Sequence, residues 1–121
     1  MSRDRAYEDE FLSDVDRLAA MQAGAGHQPI DHFIRLVRER LDLGDRLYGD
    51  RFLTSDNMRE ALDEPCDAVT WSLLELQRQR LAGADAELVA EARMEIIGAA
   101  VLAARADQGL RRAQRLLDGT A

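Results

Sequence analysis

The chain has 121 residues, of which 46% are hydrophobic and 32% charged, a composition that fits one folded domain and excludes an intrinsically disordered chain. Its formal net charge of −7 opposes polyanions and argues against nucleic acid as a partner. The single cysteine, Cys66, excludes an intramolecular disulfide and a cysteine zinc cage.

Aromatic residues make up only 5% of the chain, so its core must come from Leu, Ala, Val, Ile and Met. The first predicted helix covers residues 5–22, where Tyr7, Phe11, Val15, Leu18 and Ala19 recur at helical spacing. A Gly-rich loop, 23–28, stops it. The second helix starts near Pro29, which a first helical turn tolerates. It carries a stripe of Ile30, Phe33, Ile34, Val37 and Leu41, and ends around Tyr48-Gly49-Asp50. A third begins after Thr54 or Ser55, either of which can cap it. Met58, Leu62, Cys66, Val69, Leu73 and Leu76 follow the helical period there, which predicts a buried Cys66. Pro65 either kinks this helix or starts another with Asp63 or Glu64 as cap. A fourth runs from after Asp85 to about Ala106, with an apolar tail from Leu110 to Leu117 beyond Gly109. No stretch alternates with period two. The expectation is an all-α chain, a single helical domain over 1–121 with its helical core at 29–118. Its four or five helices form an antiparallel bundle with apolar surface left for a homodimer.

The N-terminus has no apolar leader, and the longest apolar run, Ile96 to Ala104, is about half of what spans a bilayer. Both predict a cytoplasmic chain that does not engage a membrane. Every basic residue is an arginine, which reads as GC-rich coding of bacterial or phage origin.

The stretch Glu60-Ala-Leu-Asp63-Glu64-Pro-Cys-Asp67 carries the chemistry. On a helix, Glu60, Glu64 and Asp67 fall at i, i+4 and i+7 and share a face. Stacked carboxylates repel one another, and a divalent cation removes that cost. Mg²⁺ needs only one or two carboxylates, the rest of its shell coming from waters and substrate phosphates. The plainer reading is an acidic helix start favoured by the helix dipole.

Around this ladder, residues 31–80 resemble the all-α nucleoside triphosphate pyrophosphohydrolases, the MazG-like and phage dNTP diphosphohydrolase group. The resemblance lies in Arg46-Leu-Tyr48-Gly49-Asp50-Arg-Phe52, in the acidic stretch continued through Ala68-Val-Thr-Trp71, and in Leu73-Leu-Glu75-Leu. It implies Mg²⁺ or Mn²⁺ held by acids from two facing helices, and a metal-activated water that splits a nucleotide into monophosphate and pyrophosphate. Glu60, Glu64 and Asp67 match one acidic helix of that group, with Glu64 the catalytic candidate. The second set falls to Glu39, with Asp42 and Asp45, or to Glu95 of the ladder Glu87, Glu91, Glu95. Gly98 stands where a Glu-x-x-Asp step from Glu95 would place its acid. Arg46 or Arg51 would hold phosphate, and Tyr48 or Trp71 the base. The expected function is a nucleotide pyrophosphohydrolase, active or catalytically degenerate. The alternative is a non-catalytic helical interaction or regulatory protein.

His27 and His32 lack the i, i+4 spacing of a helical metal pair and read as surface or cap residues.

Overall fold

A computed structural model describes residues 3–23 and 29–119. Four α-helices account for most of them: α1 (Arg5–Ala23), α2 (Asp31–Tyr48), α3 (Asn57–Leu81) and α4 (Ala86–Leu117), with a 3-10 turn at Gly49–Leu53 between α2 and α3. No strand occurs among the described residues. None of the helices is long and apolar enough to cross a membrane. The Gly-rich loop at 24–28, His27 included, lies outside the described residues. The chain divides after Ser55 into two units, the first holding α1, α2 and the 3-10 turn, the second α3 and α4.

In the first unit, Asp4 accepts from the Tyr7 backbone N–H at 3.0 Å and so caps α1. Leu12 is the buried residue of this helix, 3% exposed. α2 runs unbroken through Gly44. It stops at Gly49, whose φ of 54° allows its N–H to close back on Asp45 O.

Each helix of the second unit opens on an aspartate. Asp56 accepts from the Arg59 N–H at 3.1 Å. The sequence pointed to Thr54 or Ser55, but both hydroxyls point back to donate to Arg51 O, at 3.2 and 2.9 Å, and so lie over the preceding turn. Asp85 caps α4 as expected, accepting from Glu87 N at 2.9 Å and Leu88 N at 3.1 Å. Asp85→Ala should therefore lower stability by about 1 kcal/mol, measured by urea unfolding, while Asp85→Asn should cost a few tenths at most. α3 ends at Leu81 with Ala82 as its C-cap, and Gly83 at φ 78° follows in the turn to α4.

Two sequence-based alternatives are resolved here. Pro65 sits inside one continuous α3 and starts no new helix. Gly109 does not separate a fifth helix, since α4 runs through it to Leu117.

α3 and α4 pack against each other along their length. On α3 the less exposed positions include Met58, Leu62, Pro65, Val69, Ser72, Leu76 and Gln79, advancing in alternate steps of four and three as in a coiled-coil seam. On α4 they include Val89, Ile96, Ala100, Ala103, Asp107 and Leu110. The seam on α3 is turned from the stripe expected from sequence. Pro65 and Ser72 lie in it, whereas Cys66 is exposed and so is Leu73. The expected burial of Cys66 is thus corrected: α4 meets α3 on the Pro65 side, one position away. Leu76 is the buried residue of this unit, at 9% exposure.

Candidate functional site

The acidic ladder lies on α3. Because the helix is unbroken, Glu60, Glu64 and Asp67 keep their i, i+4, i+7 register, and all three are exposed. They occupy the side of α3 turned away from the seam with α4. Glu60 alone falls in the first turn. The helix dipole acts over that turn, so it accounts for Glu60 and leaves Glu64 and Asp67 without that explanation. Asp63, beside them, is exposed as well.

Further along α3 the same outward side carries Trp71, Leu74 and Leu81, with Trp71 71% exposed. Trp71 is therefore no core residue of its unit, and its indole is open to a flat apolar ligand. Arg78 does not offer a free cation there. Its guanidinium grips Glu75 through Nε at 2.8 Å and Nη2 at 2.6 Å. That fork, with the Gln79 amide donating at 2.9 Å, lowers the Glu75 pKa to about 2.

The first unit holds Arg46, Arg51 and Tyr48. Arg51 lies over the Tyr48 ring, its guanidinium carbon 5.5 Å from the centroid, a cation–π contact made possible by the turn at Gly49. The proposed phosphate and base residues are thus neighbours, and Tyr48 is 58% exposed. Arg46, in the last turn of α2, is exposed too. Glu39 is exposed and lies 4.0 Å from the Arg35 guanidinium. His32 accepts at Nδ1 from the same arginine at 2.9 Å, in keeping with a surface residue.

Asp42 and Asp45 belong to a cluster that the sequence did not reveal. The Arg3 side chain, only 9% exposed, reaches from the start of α1 to α2. It donates to both Glu8 oxygens at 3.0 and 2.7 Å, to Asp42 at 3.2 Å and to the Leu41 carbonyl at 3.3 Å. Asp45 is 3.7 Å away. The bonds to Glu8, and then to Asp42, outweigh the cost of burial and raise the Arg3 pKa above its ordinary value. Asp9 and Arg38 form a second link between α1 and α2. The three-residue spacing of Asp42 and Asp45 was visible in the sequence, but their partner precedes the first helix and leaves no periodic signal.

Glu95 is exposed on α4 and off the seam, and the ladder lies on the far side of α3, so packing within the second unit does not bring the two together. No group of three or more His, Cys, Asp or Glu residues is gathered for a metal ion among the described residues. The ladder supplies hard carboxylate oxygens in a line rather than a closed cage. That suits a cation sharing its shell with phosphate oxygens and water, and does not suit one enclosed by protein alone. No protein-family model matches the chain, and no curated protein or solved structure matches it either.

Proposed function

We propose that the chain is a Mg²⁺-dependent nucleotide pyrophosphohydrolase that works in the cytoplasm as a homodimer, its helices assembled into an antiparallel bundle. What supports this is the unbroken course of α3 through Pro65, with Glu60, Glu64 and Asp67 in register on the side away from α4. The likeness of residues 31–80 to the all-α pyrophosphohydrolases points the same way. Two carboxylates of the three suffice to hold Mg²⁺ against a triphosphate. Bound there, the ion would offset phosphate charge and lower the pKa of a coordinated water. The residues of the chain do the rest. Glu64, mid-ladder, orients the water for attack on the α-phosphorus, and the bond to the bridging oxygen breaks to release pyrophosphate and a nucleoside monophosphate. Arg51 or Arg46 holds the leaving pyrophosphate, and Tyr48 or Trp71 stacks on the base.

The test is thermal unfolding with Mg²⁺ or Mn²⁺ titrated in, alone and with a non-hydrolysable nucleoside triphosphate analogue. A ligand at a hundredfold excess over its Kd stabilises the fold by about 2.7 kcal/mol. No shift under either condition, with no pyrophosphate released from a panel of NTPs and dNTPs, would sink the enzymatic reading. A second reading is then favoured, a non-catalytic helical protein that binds a partner through its apolar faces. The observation behind it is the run of exposed Leu, Met, Ile and Val on α4.

A further inference from the structure

α4 is apolar on more sides than α3 covers. Beyond the seam it carries a second stripe, whose large apolar members are Leu88, Leu102 and Leu116, exposed at 66%, 65% and 67%. Each lies about four turns from the next, so the three leucines are symmetric about Leu102. Between them the same stripe places Ala92, Ala99, Ala106 and Ala113, small side chains that let another helix come close. A helix that carries apolar side chains on two faces has a second face left to cover.

Charge is distributed along α4 with the opposite symmetry. Its first half carries Glu87, Glu91 and Glu95 against Arg93. Its second half carries Arg105, Arg111, Arg112 and Arg115 against Asp107, and Asp107 is held by Arg111 at 3.0 Å. A parallel neighbour of the same sequence would meet like charge throughout, and an antiparallel one meets opposite charge at both ends.

We propose that α4 is a homodimer interface, two copies pairing antiparallel about a two-fold axis at Leu102. This rests on the reading above only for the homodimer and not for its chemistry. In such a pair Leu88 of each copy lies opposite Leu116 of the other, and Leu102 meets its own counterpart. A two-fold axis brings each flank of the stripe against the same flank of the partner helix. Glu91 and Arg112 share one flank, so each Glu91 meets Arg112 of the partner subunit, and the contact forms twice. Glu95 falls opposite Gly109. The Arg112 guanidinium already leans there, its Nη2 3.9 Å from where a Cβ on Gly109 would stand. The size fits as well. α4 has 32 residues and is about 48 Å long and about 10 Å wide. A lengthwise contact with side-chain relief approaches the ~800 Å² per partner of a standard interface.

Sedimentation equilibrium of the full chain tests this. The wild type is expected to be a dimer. Glu91→Arg should raise the dimer Kd about tenfold, and adding Arg112→Glu should return it to within about threefold of wild type. In a Cys66→Ser background, Leu102→Cys should oxidise to a covalent dimer, and Val101→Cys, on the neighbouring stripe, should not. A monomeric wild type overturns the proposal. So does a dimer that ignores the charge reversals, or one that cross-links through position 101 and not 102. A dimer built elsewhere that still releases pyrophosphate removes this interface and leaves the enzymatic reading standing. The reverse result, this interface without any Mg²⁺ effect, removes the chemistry alone.

Discussion

Glu64→Ala is expected to lower pyrophosphate release from nucleoside triphosphates by at least ~100-fold and to abolish any Mg²⁺-dependent rise in melting temperature. Loss of a residue that merely supports a metal ligand costs about 10–100-fold, so removing the central carboxylate of the ladder should cost more. Glu64 is the informative position because it lies beyond the first turn of α3 and carries no ion pair among the described residues, so its removal should leave the fold intact. Glu60→Ala and Asp67→Ala should each give smaller losses, because Glu64 then still has a carboxylate on the adjacent turn to share the ion, whereas losing Glu64 leaves Glu60 and Asp67 two turns apart. Glu75→Ala is the control. It removes a carboxylate from the same helix, but one bound to Arg78 and Gln79, and it should leave both Mg²⁺ response and turnover unchanged. Equal losses at Glu64 and Glu75 would mean that general acidity of α3, and not the ladder, is being measured. Retained activity in Glu64→Ala would move the site off α3.

The helices were legible in the sequence wherever a local signal decided them. Asp85 ahead of an apolar run predicted the start of α4, and Gly49 marked the end of α2, because capping and positive φ are properties of a few adjacent residues. Where two local signals competed, sequence reading lost. Thr54, Ser55 and Asp56 are all good caps, and the choice among them depends on Arg51 O drawing away two hydroxyls. The face of α3 that meets α4 was not legible for a different reason. Cys66 and Leu73 continue one apolar line and Pro65 and Ser72 another, and periodicity alone has no means of telling which line a partner helix will cover. The same holds for the site. The spacing of Glu60, Glu64 and Asp67 is local and was readable. Any second acidic set depends on how separate helices approach, and Asp42 and Asp45 show how that fails, since the part-buried Arg3 claims them both.

Pro65→Ala is expected to stabilise the protein by about 1–3 kcal/mol and to reduce activity. Proline in a helix interior costs about 3 kcal/mol relative to alanine. It lacks the N–H that would donate to the Ala61 carbonyl, and its ring crowds the preceding turn. Alanine restores that bond. Part of the gain is lost because Pro65 is only part-exposed and lies in the seam with α4, where alanine packs less surface. Urea unfolding of the variant should thus show a higher midpoint at an unchanged m-value. The residue sits directly after Glu64, and its ring constrains the turn that carries Glu60 to Glu64. If that turn sets the spacing of the ladder carboxylates, altering it costs turnover while the fold gains, the usual exchange at a functional position. A Pro65→Ala protein that is both more stable and fully active would show that the proline is incidental to the ladder. A less stable one would show that its packing against α4 outweighs the hydrogen bond it forfeits.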